Sequence, residues 1–282
     1  MEKLPHVILA GLPGKMATML VEPLRKAFDL APFALTGLDE AGCQELQSRC
    51  ELGLIPPRAH EAILGASDDQ DFLRDFVIVD FTVPEAVNRN AEMYARRGIP
   101  FVMGTTGGDR EKLVRTVKEA ESGICAVIAP NMALPIVVLQ AMMEYAAATF
   151  PGAFTGFDLS VMESHQAVKK DTSGTAKAMV SYFNALGIPF GVDEIKMIRD
   201  AYTQKNFLGV PEKFLGGHGW HRYKLQSREQ VGGNIQLSLE HNINGRQAYV
   251  DGAIKAVKFL AQQVAAGEKN QVYSMIDVAK AL

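Results

Sequence analysis

Cysteine is scarce in this chain. Cys43, Cys50 and Cys125 are an odd three in 282 residues, with no C-x-x-C pair among them. That excludes a paired-cysteine framework and leaves reduced thiols as the simple reading. Charge of one sign is scarce too: the formal net charge is −3, which offers no electrostatic footprint for nucleic acid. No apolar run approaches the ~20 residues of a membrane span, so no membrane partner is expected. Internal repeats, low-complexity tracts and long charge blocks are all missing. The opening "MEKLPHVILAGLPGK" is too short in apolar residues for a signal peptide, and it is not the Arg- and Ser-rich composition of a transit peptide. A cytoplasmic location is expected, or a plastid one if a leader has been removed. What remains is ordinary globular composition, 48% hydrophobic and 22% charged, at a length that suits two modest domains.

The first half alternates apolar runs with helical patterns. Strands are expected at 6–11, 33–37, 75–82, 99–108 (this one running into a glycine-rich loop) and 124–130. Helices are expected at 15–28, 84–98 and 109–123, with Pro84 opening one and Gly98 ending it. Near-continuous apolar strands between helices mean a parallel sheet covered on both faces, a Rossmann-like doubly wound α/β fold. After the apolar helix expected at 134–150 the pattern changes. "FDLSVMESH", "HGWHRYKLQS" and "GGNIQLSLEHNING" alternate apolar with polar residues. They predict a second, α+β domain on a mixed or antiparallel sheet. A long helix returns at 248–268. The division expected is 1–131 with 248–282, and 132–247 between them.

"VILAGLPGKM" is a strand, a tight turn and a helix start. Gly11 and Gly14 allow backbone to approach a phosphate, and the helix that follows offers free N–H groups. The dinucleotide fingerprint is G-x-G-x-x-G; here Pro13 occupies the middle position and Ala17 follows Gly14, so the spacing is G-x-x-G-x-x-A. A P-loop is excluded, because Leu9 and Met16 stand where it needs Gly and Ser or Thr. Asp39 and Glu40 come slightly late for the acid that binds the ribose hydroxyls of NAD. Lys15 is either a partner for the 2′-phosphate of NADPH or a solvated first-turn lysine. The loops "GTTGGD" and "APNMALP" fall at the same sheet edge, where Thr105, Thr106 and Asn131 suit a carboxamide.

The stretch "MESHQAVKKDTSGTAKAM", 162–179, gathers an imidazole, two ammonium groups and a helix start. Ser173-Gly174-Thr175 opens the helix, with Asp171 or Thr172 as its expected cap, so its N–H groups form an anion site. Lys169 adds a point charge. His165 titrates in the range useful for proton transfer. His218 and His221, three apart on an expected strand, face opposite sides, which argues against a shared metal. Arg246 and Lys224 are left open as residues that face the substrate.

"AGLPGKM", "VDFTVPEAV", "FVMGTTGGDREKL" and "MESHQAVKKDTSGTAKAM" occur in the order, and at about the spacing, of the dihydrodipicolinate reductase family. The resemblance covers nearly the whole chain and is closest to the plant-like branch. It implies reduction of 4-hydroxy-tetrahydrodipicolinate to tetrahydrodipicolinate by NADPH, with NADH also accepted, in the diaminopimelate route to lysine. It implies a nucleotide-binding domain, completed by the C-terminal helix, and an inserted substrate domain that assembles a dimer or tetramer. Carried over by residue, His165 and Lys169 are the catalytic pair. Gln166, Ser173, Gly174 and Thr175 hold the dicarboxylate substrate. Gly11, Leu12, Pro13, Gly14, Lys15 and Met16 line the cofactor, as do Gly104, Thr105 and Thr106, and Ala129, Pro130, Asn131 and Met132. No metal is implied. The chain departs from the bacterial pattern at Gln166, at the shortened "DTSGT", at Ala17 and at Val83. The chemistry fits: hydride addition to a C=C–C=N system builds negative charge that a lysine stabilises, and His165 supplies the proton. Rival readings lack their marks. The Glu-Lys-Pro motif of sugar dehydrogenases is absent, Cys125 lies in an expected buried strand and does not suit a semialdehyde nucleophile, and a nucleotide-sensing protein has no need of His165 and Lys169.

Overall fold

The computed structural model describes residues 5–65, 75–228 and 234–282; Gly232 and Gly233, expected to begin a strand, lie outside them. The chain runs β1 (His6–Leu12), α1 (Lys15–Ala27), β2 (Asp29–Thr36), α2 (Glu40–Gln47), β3 (Gly53–Ile55), α3 (Pro57–Leu64) and β4 (Phe76–Asp80). It continues through α4 (Val87–Arg97), β5 (Phe101–Met103), α5 (Arg110–Lys118), β6 (Ala126–Ile128), α6 (Leu134–Thr149), β7 (Phe157–His165) and α7 (Gly174–Ala185). It ends with β8 (Lys196–Ile198), β9 (His218–Ser227), β10 (Gln236–Asn244), α8 (Gln247–Ala265), β11 (Val272–Tyr273) and α9 (Met275–Lys280). Two compact units result: Met1–Leu134 with Tyr249–Leu282, and Pro135–Ala248.

The first unit holds a seven-stranded sheet in the order β11-β6-β5-β4-β1-β2-β3, and every pair is parallel. The sheet grows both ways from β1. Right-handed crossovers therefore place α1 and α2 on one face and α4 and α5 on the other, the doubly wound Rossmann-like arrangement. Val7, Leu9 and Ala10 are fully buried, as an apolar run covered on both faces requires. Helix α4 shows how sequence sets an element. A turn of 3₁₀ helix opens on Pro84, Val87, Ala91 and Tyr94 form a fully buried stripe, and Gly98 ends the helix at φ +70°. The late elements complete this sheet. β11 pairs with β6, and Gly252 of α8 lies so close to the Met132 carbonyl that a Cβ there would collide with it.

The second unit holds a four-stranded sheet in the order β10-β9-β7-β8. β7 and β10 flank β9 antiparallel, while β8 joins β7 parallel, so the sheet is mixed. One face is covered: Val161, Tyr223 and Leu225 pack with Met143 and Ala147 of α6 and with Met179, Val180 and Phe183 of α7. Alternation along β9 turns His221, Tyr223 and Leu225 to that covered face, and Arg222 and Lys224 to the other. Lys224, left open by the sequence, thus points away from the side that carries His221. Among the described residues no helix is long and apolar enough to cross a membrane.

Candidate active site and nucleotide loops

In the first unit the carboxyl ends of β6, β5, β4 and β1 lie side by side, and the winding reverses between β4 and β1. Ligands of open parallel sheets bind at such a reversal. Gly11, at φ +115°, lies against the Phe81 carbonyl, and no side chain fits there. The Leu12–Pro13 peptide that follows is cis. Gly14 caps α1 without a side-chain hydrogen bond, and no acid lies in the first turn. The first-turn N–H groups are therefore available to an anion. Pro13, Gly14 and Lys15 are exposed and Met16 is half-buried. Leu12 is buried, and its carbonyl accepts from the Thr36 hydroxyl at 2.6 Å. The donor set fits a dinucleotide phosphate.

The other two loops fit in part. Gly104 sits under the Phe81 ring, where a Cβ would clash. Thr106 is exposed, but Thr105 is buried and its hydroxyl donates to the Thr82 carbonyl at 3.1 Å. The loop thus uses the Thr105 hydroxyl hydrogen within its own turn. Ala129 and Met132 are buried side chains that can offer a ligand only backbone. Pro130 is exposed, and Asn131 Oδ1 accepts from the Ala133 N–H at 3.0 Å. Asp39 caps α2, accepting from the Gly42 N–H at 2.8 Å, and Glu40 pairs with Arg58. Both acids at the end of β2 are thus already engaged. Sequence reasoning missed Asp80. Its buried carboxylate accepts from the Thr82 N–H at 2.9 Å and hydroxyl at 2.6 Å, from Asn90 at 2.9 Å and from the Tyr94 phenol at 2.8 Å. This network holds the turn that packs on Gly11 and Gly104. Burial and Asp80 push the Tyr94 phenol well above its ordinary range. The signal available was Asn90 and Tyr94, one helical turn apart behind an aspartate at a strand end.

In the second unit β7 ends at His165, and α7 begins a short loop later. The cap of α7 is Ser173, not Asp171 or Thr172: its hydroxyl oxygen accepts from the Ala176 N–H at 3.0 Å. Ser173 is also buried, and its N–H donates to Glu163 Oε2 at 3.0 Å. Both its hydroxyl oxygen and its N–H thus have partners within the protein. Gly174 is exposed and Thr175 half-buried, and as first residues of the helix their N–H groups have no intrahelical acceptor. Lys169 Nζ lies 2.9 Å from Asp171 Oδ1, a carboxylate whose side chain is 74% exposed. Gln166 is half-buried, and its carbonyl accepts from the Lys169 N–H at 3.0 Å.

The loop is fastened from behind by residues that sequence reasoning did not select. Arg199 pairs with the fully buried Glu163 and donates through Nε to the Lys169 carbonyl at 2.7 Å. Gln204, in a π-helical turn, donates to the His165 carbonyl at 2.7 Å. His165 Nδ1 lies 3.0 Å from the His218 carbonyl, and its Nε2 lies 3.1 Å from His221 Nε2. His221 Nδ1 lies 2.9 Å from the Tyr223 hydroxyl, and the His241 ring stacks on His221 at 4.6 Å. Strand register makes this possible, since Glu163, His221 and His241 are direct neighbours across three strands. His218 faces the other side and meets the Ser164 hydroxyl at 2.8 Å, so His218 and His221 do not share a ligand. Burial pulls His165 down to about 4, against the pull of Glu163, and takes His221 down to about 2. Glu163, His165 and His221 offer donor atoms within 4.8 Å of one another. Those atoms already serve one another, Ser173 and Arg199, and the guanidinium opposes a cation there.

Comparison with known proteins accords with both units. The family model described as dihydrodipicolinate reductase, N-terminus, matches residues 5–132, and that described as dihydrodipicolinate reductase, C-terminus, matches 135–279. The chain is 40% identical to the chloroplastic 4-hydroxy-tetrahydrodipicolinate reductase 1 of Arabidopsis thaliana, over 97% of this chain and 77% of that one. It is 31% identical to the 4-hydroxy-tetrahydrodipicolinate reductase of an Anaeromyxobacter species, over 97% of each chain. The fold is shared with a dipicolinate-bound dihydrodipicolinate reductase from Paenisporosarcina, at a TM-score of 0.63 and 19% identity over 96% of this chain and 98% of that one. With both halves matched and the plant relatives spanning nearly its full length, the chain belongs to the dihydrodipicolinate reductase family of oxidoreductases.

Proposed function

We propose that the chain reduces 4-hydroxy-tetrahydrodipicolinate to tetrahydrodipicolinate with a pyridine nucleotide, within the diaminopimelate route to lysine. The observation that carries the assignment to this site is the meeting of His165, Lys169 and the open N-terminus of α7 at one end of β7. A ring bearing two carboxylates needs two sets of donors. The Gly174 and Thr175 N–H groups suit one carboxylate. Lys169 suits the other, since its present partner Asp171 is exposed and easily exchanged for a better anion. Gln166 flanks the same loop.

His165 supplies the proton that the reduced ring takes up. Free, its imidazole is held neutral by burial. A bound dianion favours the charged form and brings it toward the working pH, where an acid is effective. Lys169 stabilises negative charge on the ring as it builds. The nucleotide, when bound, supplies the hydride. Residues 11–16, 104–106 and 129–132 would hold it, mostly by backbone groups, with Lys15 facing the 2′-phosphate of NADPH. We further place the reaction in the cytoplasm, or in a plastid where a leader has been removed, and assign the second sheet to a dimer or tetramer; light scattering of the purified protein tests the assembly.

Steady-state kinetics test the site. His165→Ala should lower kcat by ~10²–10⁴ with little change in KM, because the proton transfer is made only in the transition state. Lys169→Ala should lower kcat and raise KM together, since it acts on both states. Pyridine-2,6-dicarboxylate has the two carboxylates and no reducible bond. It should compete with substrate, and more weakly in Lys169→Ala. Wild-type turnover in both variants would remove this loop from the active site.

A further inference from the structure

Neither ring nitrogen of His165 is idle, and this fixes how the residue gains a proton. The His218 carbonyl, 3.0 Å from Nδ1, can only accept, so Nδ1 carries hydrogen. In neutral His165 the lone pair is then on Nε2, which faces His221 Nε2 at 3.1 Å. A hydrogen bond there requires hydrogen on His221 Nε2. His221 Nδ1 is then a lone pair and accepts from the Tyr223 hydroxyl at 2.9 Å. Charging His165 reverses the chain. Its Nε2–H now donates and His221 Nε2 must accept, so the single His221 hydrogen is on Nδ1, where it donates to the Tyr223 oxygen; when the Nε2 proton passes to the reduced ring, both imidazoles return to the neutral setting. The Ser173 hydroxyl, 3.4 Å from His221 Nε2, also accepts from the Ala176 N–H of α7, so the partner that this helix cap faces changes when the hydrogen leaves His221 Nε2.

We propose that His221 is a positioning residue for the reduction: a tautomer switch that follows the protonation of His165 and ties it, through Ser173, to the helix end that receives carboxylate. The inference rests on the assignment of His165 as proton donor. His221 is 3% exposed, lies against the ring of His241 on β10, and is too buried to carry a second charge. It stays neutral, so changing tautomer is the response open to it. Other titratable groups around the pair are Glu163 on β7, 4.0 Å from His165 Nε2, Arg199 behind Glu163, Lys169 in the loop, and His218 and Tyr223 on β9. None of them offers His165 Nε2 an acceptor as close as His221 Nε2.

Two measurements test this. In ¹⁵N-histidine spectra of the free wild-type protein near pH 7.5, the ring nitrogens should show His165 as the Nδ1–H form and His221 as the Nε2–H form. His221 found with hydrogen on Nδ1 overturns the proposal. In kinetics, His221→Leu should lower kcat about tenfold or more with KM changed less than about threefold. It also removes the acceptor for charged His165, which lowers that pKa. The limb on which kcat falls with rising pH should therefore move to lower pH. His221→Gln can turn either its oxygen or its NH₂ to His165, and should recover most of the loss. If His165→Ala is inactive while both His221 variants keep wild-type kcat and pH profile, the switch falls and the proton-donor role stands.

Discussion

At the scale of single residues, the site depends as much on what leaves space as on what reacts. Gly219 lies opposite His165 in the β7–β9 register, and a Cβ there would sit 3.0 Å from His165 Cε1 and 3.4 Å from Nδ1. That is tighter than ordinary contact, so the ring must shift off the His218 carbonyl. Gly219→Ala should cost about 1–3 kcal/mol of stability by overpacking and lower kcat several-fold, while the KM for nucleotide is unchanged. Thermal melts and steady-state kinetics check both. Lys15 is a second single-residue case. It is exposed at the first position of α1, and the acids at the end of β2 are committed to a helix cap and to Arg58. Lys15→Ala should weaken NADPH about fivefold to tenfold and NADH less than twofold, since only NADPH carries the extra phosphate. Equal losses, measured by fluorescence titration of each nucleotide, would place Lys15 away from that phosphate.

At the scale of elements, the N-terminus of α7 is the critical one, because the Ser173 cap adjoins the N–H groups proposed for a carboxylate. Ser173→Ala removes the side chain that holds the first turn, and should cost about 0.5–2 kcal/mol. It should also raise the KM for substrate, as the Gly174 and Thr175 N–H groups lose their fixed direction. A chemical denaturation curve and a KM measurement separate the two effects. The elements legible in the sequence were those with strong periodicity. β9 runs over 218–227 as its alternation predicted, and β1 and β4 announced themselves as apolar runs. Unread were α2, β3 and α3. α2 buries only Cys43, so it carries no apolar stripe, while β3, β8 and β11 have three residues or fewer. The same contrast governs the site. His165, Lys169 and Ser173 could be selected as candidates because they lie in one continuous stretch. Glu163 was visible there but without a role. His221, Tyr223, Arg199 and Gln204 arrive from other segments through strand register and loop packing, which one sequence does not display.

At the scale of the whole molecule, buried neutral histidines make stability a function of pH. Burial takes His165 and His241 down to about 4, and lowers His221, His218 and His60 as well. In the unfolded chain these rings titrate near 6.5. Between about 6.5 and 4 the unfolded state therefore binds more protons, and stability must fall as pH falls through that window. Carboxylates held low by their partners, such as Asp171 beside Lys169, add their share only at lower pH. Urea denaturation at pH 7, 6 and 5 should show a steadily decreasing free energy, and a flat profile would mean that these rings are solvated. The chain order of the first sheet has another consequence, in the time domain of synthesis. β6 ends at Ile128, yet its outer neighbour begins at Val272, and α8, which packs against Met132, starts at Gln247. A ribosome releases those last pieces only after the entire second unit has been made. The nascent first unit must wait with an unpaired strand edge and an uncovered apolar face, the condition in which sheets recruit wrong partners. The second unit, continuous in sequence, can fold while the first is still unfinished.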